Sequence, residues 1–279
     1  MSDLFRPPRT WRNFSLVIIC LFTFLTIGPL IWLFYSSFKP HADIVRNIFA
    51  LPETFYLGNY IGAWKKAKLG LAILNSIFYS VIATGLTTVF ALSAGYALAK
   101  FRYFFSKIMY GFFAMGMLIT IHSVLIPLFI LETRINIDDT RIGVLLPYIA
   151  FGLPLLVYLA TAYIKGMPDS IEEAARIDGA GYLTIFTKVI APMCIPVVTT
   201  MIIFSFLTNW NEFALVYILT SKAELRSLPV GINAFAGGRS RDYGLQYAAL
   251  VIGTLPMILF YIFFRKQLAR GFASGALKE

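Results

Sequence analysis

The residue types that perform covalent chemistry in enzymes are sparse in this 279-residue chain and are not grouped. Its histidines, His41 and His122, lie far apart, and both cysteines, Cys20 and Cys194, lie within apolar runs. No lysine is followed by serine or threonine, so the glycine-rich phosphate loop that ends in Gly-Lys-Ser/Thr is absent. Because nucleophilic catalysis and metal binding both need several groups at defined spacings, we predict no catalytic residue and no metal site.

The most informative polar stretch covers residues 165–188 and separates two apolar segments. Pro168 and the acidic residues after it are typical of a helix start. Gly179 and Gly181 then predict a sharp turn before a second helical stretch at 182–188. We expect the first helix to carry one small apolar face, formed by Ile171, Ala174, Ala175 and Ile177.

A second polar group interrupts a long apolar run that extends from about Val189 to Leu219. Its members are Asn209, Trp210, Asn211 and Glu212. Polar groups at membrane depth are costly and usually face a cavity or another helix. Two interpretations stay open: the group lines a translocation path or gate, or Trp210 is an interfacial anchor and Glu212 makes a contact between helices.

A third polar stretch, at 220–244, is rich in glycine and charge. Within it, Arg239, Arg241 and Tyr243 are able to hydrogen-bond a substrate or a partner protein. The alternative is an ordinary solvated loop.

Six apolar segments surround these polar stretches, and a helix needs about 20 apolar residues to cross a bilayer. The segments are Phe14–Tyr35, Leu71–Leu98, Phe104–Leu131, Ile142–Ile164, one that begins near Val189, and Leu245–Phe264. Hydrophobic residues make up 58% of the chain and charged residues 14%, against about 45–50% and about 25% in soluble domains. We therefore predict an all-α integral membrane protein with six transmembrane helices.

The domain organisation and topology follow from the basic residues. Three arginines precede the first segment, and Arg265 and Lys266 follow the last one, which by the positive-inside rule places both termini in the cytoplasm. We expect a cytoplasmic N-terminus at 1–13, a transmembrane domain at 14–264 and a cytoplasmic tail at 265–279. The net charge of +10 is spread between apolar blocks, so it indicates topology and lipid contact and not nucleic-acid binding.

The segment after the fourth apolar run resembles the signature of the permease subunits of ABC importers. That signature is Glu-Ala-Ala, a glycine four residues later, and Ile-x-Leu-Pro. This chain has Glu173-Ala174-Ala175, Gly179 and then Val189-Ile190-Ala191-Pro192, with valine and alanine replacing isoleucine and leucine. The Trp210–Phe213, Leu228–Gly231 and Gly271–Lys278 runs are similar to the carbohydrate branch, in particular to the second permease of maltose-type systems.

The resemblance implies the ABC importer permease fold with cytoplasmic coupling helices, in a bacterial or archaeal cell membrane. It implies a transport subunit without enzyme activity, paired with a second permease, two ATPase subunits that bind ATP and Mg, and an external solute-binding protein. The implied ATPase-coupling residues are Glu172, Glu173, Ala174, Ala175, Asp178 and Gly179, and the implied tail contacts with the ATPase are Gly275 and Lys278. We expect Gly179→Asp to uncouple transport by filling the turn between the two short helices.

Two other classes stay open. One is a secondary transporter driven by an ion gradient, although such proteins favour carboxylates or histidines within their spans, where only Glu212 comes close. The other is an ABC importer for a solute that is not a sugar. A membrane-embedded enzyme lacks support, since no paired carboxylates or nucleophile–base motif is present.

Overall fold

The computed structural model describes residues 9–101, 104–236 and 242–276, and these ranges contain helices and no strand. In chain order the helices are α1 (Arg9–Ser36), α2 (His41–Arg46), α3 (Gly58–Lys66), α4 (Leu69–Lys100), α5 (Phe104–Gly116), α6 (Ile121–Arg134), α7 (Arg141–Lys165), α8 (Ser170–Ile177), α9 (Tyr182–Met193), α10 (Ile195–Asn211), α11 (Ala214–Leu219), α12 (Leu228–Asn233) and α13 (Tyr243–Ala276). The predicted all-α architecture is confirmed.

Four of these helices are long and apolar enough to cross a membrane, namely α1, α4, α7 and α13. Two further candidates are bent pairs: α5 and α6 meet at 101°, and α9 and α10 meet at 75°. The described residues therefore contain four spans, or up to six if each bent pair crosses once. Helix α13 continues to Ala276, so the backbone of most of the predicted tail is helical.

The bends correct the sequence prediction of two continuous segments. The third segment breaks after Gly116, and Thr120 has an extended backbone before α6 begins. The fifth breaks at Cys194, where Pro196 occupies the first turn of α10 and lacks the N–H that a continuous helix would need. It breaks again at Glu212, which explains why the apolar run to Leu219 is longer than one bilayer crossing.

The chain divides into two compact units. One contains residues 1–69 and 232–255 and includes α1 to α3. Asn59 ties α3 to the segment between α1 and α2, because its amide donates to the carbonyl oxygens of Ser37 and Lys39 over 2.8 Å each. The other contains residues 70–231 and 256–279 and carries the polar stretch at 165–188 and the polar group at 209–212.

The core of this second unit is formed by α4, α7, α9 and α10. Its buried members include Ala91, Tyr96, Leu156, Val157, Ala160, Ile164, Ile185, Ile190, Cys194 and Met201. At Gly95 a Cβ would lie 2.6 Å from the Cβ of Ala160, so α4 and α7 pack in close contact. Small residues permit this kind of approach between membrane helices.

Candidate coupling surface and transport cavity

Helix α8 forms from the predicted start and ends at the predicted glycine turn. Gly179 has φ +82°, its N–H donates to Arg176 O over 2.9 Å, and Ala180 N–H donates to Ala175 O over 3.0 Å. These two bonds are the Schellman arrangement, which satisfies the last carbonyls of a helix and requires a left-handed residue. No atom lies within 4 Å of a Cβ built on Gly179. A Cβ at Gly179 thus meets open space, so the constraint that the structure shows on Gly179 is its backbone conformation. The expected effect of Gly179→Asp on transport stays a prediction.

Glu172 faces the protein interior. The Tyr96 hydroxyl of α4 donates to Glu172 Oε1 over 3.1 Å, and Arg176 Nη2 donates to the same oxygen over 2.8 Å. Glu172 is 6% exposed and Tyr96 is 5% exposed, so water cannot replace the bond between them. The carboxylate is thus compensated inside the chain, and it connects α8 to α4.

The opposite side of α8 faces outward. Glu173, Ala174, Ile177 and Asp178 are exposed there, together with Gly179, and Ile177 is 87% exposed. We call these five residues the exposed α8 surface. The predicted single apolar face is wrong, because Ile171 and Ala175 are half-buried while Ala174 and Ile177 are exposed. The cause is geometric: residues 174 and 175 are about 100° apart on a helix of 3.6 residues per turn.

The start of α8 is tied to the end of α4. Lys100 Nζ lies 2.7 Å from Asp169 Oδ1 and donates to Met167 O over 3.3 Å. The lysine side chain is only 5% exposed. With the Tyr96 hydrogen bond, this gives α4 two polar attachments to the segment that contains α8.

A cavity of about 280 Å³ lies in the second unit at the break between α5 and α6. Irregular backbone at membrane depth is tolerated where it lines a cavity, and this break fits that rule. Apolar side chains form most of the wall, including Met117, Ile119, Phe151 and Phe204. The polar lining residues are Tyr148, Ser205, Thr208, Asn209 and Glu212.

The four predicted path or gate residues separate into two pairs. Asn209 and Glu212 line the cavity, whereas Trp210 and Asn211 do not. Trp210 is 3% exposed and stacks on Phe206 at 5.8 Å, so it packs within the bundle and is not an interfacial anchor. Asn211 is exposed and donates to the backbone of its own helix.

The cavity-lining pair has defined partners. Asn209 Nδ2 lies 3.3 Å from both Thr84 Oγ1 and Ser205 Oγ, which joins α10 to α4. Glu212 accepts the N–H of Leu215 through its two oxygens, at 3.0 and 3.1 Å. Glu212 therefore caps α11 and makes the helix break possible.

The structure describes only two of the remaining predicted site residues, Tyr243 and Gly275. Tyr243 N–H donates to His41 Nδ1 over 3.1 Å, and the two rings stack at 5.5 Å. Gly275 lies in α13. Arg239, Arg241 and Lys278 lie outside the described residues. Within the described ranges, no three His, Cys, Asp or Glu residues come together as metal ligands.

Sequence reasoning missed Tyr96, Lys100 and Tyr148. Tyr96 and Tyr148 look like ordinary aromatic residues of apolar segments, and no local signal predicts their contacts. Lys100 did carry a signal, since it is the first charge after the second apolar run and its neighbours are apolar.

Residues 88–273 match the family model described as the binding-protein-dependent transport system inner membrane component. The matched region includes α8, its glycine turn and the cavity. The chain belongs to this family of ABC importer permeases. The permease is thus a transport subunit with several candidate membrane-spanning helices. The signature at 173–192 predicted the family, and the apolar segments predicted the spans.

Named relatives align over almost the whole permease. A diacetylchitobiose uptake system permease protein of Streptomyces coelicolor is 30% identical over 97% of this chain and 90% of its own length. A trehalose transport system permease protein of Mycobacterium tuberculosis is 33% identical over 90% of this chain and 92% of its own. A multiple sugar-binding transport system permease protein of Streptococcus mutans is 30% identical, with 92% and 96% covered.

The fold of the permease also matches a solved structure. A chain of a bacterial ABC transporter involved in import of the acidic polysaccharide alginate superposes with a TM-score of 0.80. It is 24% identical, and the match covers 94% of this chain and 98% of that one. The likeness supports the ABC importer permease fold.

Proposed function

We propose that the permease moves a sugar or oligosaccharide across the cell membrane by alternating access, with energy from partner ATPase subunits. An external solute-binding protein delivers the solute, and a second permease completes the channel. Both termini lie in the cytoplasm, so α8 faces the ATPase. The observation that carries this proposal is the division of Glu172 and Glu173 between the inner and outer sides of α8. The sugar class is supported by the named relatives.

The exposed α8 surface supplies the contact with the ATPase. The exposed Ile177 side chain provides an apolar contact, and the small Ala174 side chain lets a partner approach the helix closely. The exposed Glu173 carboxylate is able to pair with a basic group at the edge of a cleft. The Schellman turn and the Glu172 bonds hold α8 in one orientation. A rigid surface is needed because a flexible α8 segment would move with the ATPase without moving the membrane helices.

The cavity supplies a passage for the solute. Its lining combines aromatic and aliphatic walls with a few hydroxyl and amide groups, which is the usual composition of a small-molecule site. We propose that Asn209 and Thr208 present their polar groups to the passing solute, while Glu212 keeps the wall open by capping α11.

Two exposed isoleucines allow a direct test of the coupling surface. Ile177→Asp should abolish co-purification of the ATPase subunits, since it places a charge on the contact surface. Ile135→Asp changes an isoleucine that is 55% exposed in the loop after α6, and should leave the complex intact. Retention of the ATPase by Ile177→Asp, or its loss from Ile135→Asp, would contradict the assignment.

Two threonines of α10 test the cavity in the same way. Each donates its hydroxyl to the carbonyl four residues earlier, but only Thr208 lines the cavity. In the reconstituted complex, Thr208→Phe should block uptake while ATP hydrolysis continues, and Thr199→Phe should leave uptake unchanged. Equal uptake by the two variants would mean that the solute passes elsewhere.

Ion-coupled transport is tested by the energy source. Uptake into vesicles that contain ATP and lack any ion gradient should proceed at the full rate. Uptake that needs a proton or sodium gradient and persists without ATP would contradict ATP-driven import and support ion-coupled transport.

A further inference from the structure

A short loop after α2 holds apolar side chains away from the rest of its unit. We call residues 48–51, with the sequence Ile-Phe-Ala-Leu, the apolar loop. Ile48 is 50% exposed, Phe49 is 80% exposed and Leu51 is 72% exposed. Adjacent exposed apolar residues of this size mark a surface that contacts another molecule or a membrane.

The apolar loop is held in a fixed conformation. Lys39 is 2% exposed, and its Nζ donates to Asn47 O over 2.7 Å and to Ala50 O over 2.9 Å. The Asn47 side chain accepts the N–H groups of Phe49 and Ala50 over 3.2 Å each. Several backbone polar groups of the segment are thus satisfied within the protein, namely the carbonyls of Asn47 and Ala50 and the N–H groups of Phe49 and Ala50, while the Phe49 side chain stays exposed.

The apolar loop lies beside the end of α1. Trp32 Nε1 donates to Ile48 O, and Tyr35 Oη donates to Phe49 O, both over 3.2 Å. Both aromatic residues belong to the candidate span Asn13–Ser36. At a rise of about 1.5 Å per residue, Trp32 is roughly 6 Å from the end of α1. Tryptophan and tyrosine at the end of a span mark the headgroup level of the bilayer, so the loop reaches that level.

We propose that the apolar loop inserts into the lipid headgroup region at the C-terminal end of α1, with Phe49 as the anchor. The surface of α1 that continues from the loop is already exposed along its length, with 0% of its most apolar window buried. Arg46 is exposed just before the loop and is able to contact anionic headgroups. No charged residue intervenes between Arg46 and Glu53, so the inserted part carries no charge into the lipid.

A lipid anchor at this position has a mechanical use. It fixes the level of α1 at one membrane surface, because Trp32 and Tyr35 tie the loop directly to the helix. The hydrogen bonds of Lys39 keep the anchor from folding back against the protein.

Spin labels at the loop test the proposal. The complete transporter, with Cys20→Ser and Cys194→Ala, is placed in vesicles of phosphatidylethanolamine and phosphatidylglycerol. A nitroxide is attached through Phe49→Cys, and the matched control carries it through Glu53→Cys, an exposed polar position four residues on. We expect the label at 49 to collide more with oxygen, which concentrates in lipid, than with a water-soluble nickel chelate. The label at 53 should show the opposite preference.

Two results would overturn the lipid anchor. Preference for the nickel chelate at both positions would place the loop in water. Low collision rates with both reagents at 49 would place it against protein, for example the second permease. If Phe49→Cys prevents assembly of the transporter, the nitroxide is attached through Leu51→Cys and its collisions with the two reagents are compared in the same way, since Leu51 is almost equally exposed.

Discussion

The hydrogen bond between Tyr96 and Glu172 gives the most direct test of how α8 is held. Tyr96→Phe removes one hydroxyl and keeps the ring in its packed position. A hydrogen bond to a charged group contributes about 1.5–3 kcal/mol. Because Arg176 still donates to the same oxygen at 2.8 Å, we take the lower end, about 1.5 kcal/mol. Since each 1.4 kcal/mol is about a factor of ten, undocking of α8 should become roughly tenfold more frequent.

Hydrogen exchange of the amides at 170–177 measures this undocking in the purified permease in lipid nanodiscs. Tyr96→Phe should raise their exchange rates about tenfold and leave those of the core of α7 unchanged. In the assembled transporter, the same variant should hydrolyse more ATP per solute moved. Tyr182→Phe is the matched control, because Tyr182 is an exposed tyrosine of the same segment.

Glu172→Ala extends the test. It removes the carboxylate and leaves the buried Tyr96 hydroxyl without a hydrogen-bond acceptor. The unsatisfied hydroxyl adds about 1–3 kcal/mol to the free-energy cost of docking α8, so the effect on exchange should exceed that of Tyr96→Phe. Unchanged exchange at 170–177 in both variants would refute the view that α4 holds α8 through this bond.

Three further predictions concern other parts of the chain. Gly179→Ala should loosen the turn by about 1–2 kcal/mol, because an L-residue is strained at positive φ, and should raise the ATP used per solute; Gly181→Ala, at φ −75°, should match the parent. Gly95→Val should prevent assembly, measured as loss of the monodisperse complex in gel filtration, because its side chain meets Ala160. The backbone N–H groups of Lys222 and Ser221 donate to Asp139 Oδ1. These hydrogen bonds, that of Lys222 most of all, lower the pKa of the Asp139 carboxyl group. That carboxylate should therefore stabilise the fold above the usual aspartate pKa and lose its effect as pH falls through the lowered value, so melting temperatures of the parent and Asp139→Asn should converge in acid.

Helix α8 could be predicted from the sequence because its signals are local. A proline, an acidic first turn and a glycine at the required spacing define a short helix and its end. The inward turn of Glu172 could not be predicted. It depends on Tyr96, which lies 76 residues earlier in the chain and carries no sign of a polar partner.

The break between α5 and α6 shows a second limit. The residues at 117–120 are Met-Leu-Ile-Thr, and hydropathy alone treats them as part of one span. Their backbone leaves the helix beside a cavity that other segments complete, including Tyr148 of α7 and Asn209 of α10. A one-dimensional pattern records apolar character, whereas the break depends on which segments surround it.

The 87% exposure of Ile177 has a consequence for the life of the subunit in the cell. A permease made without its ATPase leaves this side chain in water, at a cost of about 2 kcal/mol relative to burial. The surface that we propose to transmit force in the finished transporter thus also marks an orphan subunit, and a protease or chaperone that binds exposed apolar residues is able to recognise it. Supply of the ATPase would then set how much permease survives, and the balance between subunits would not depend on matched synthesis alone.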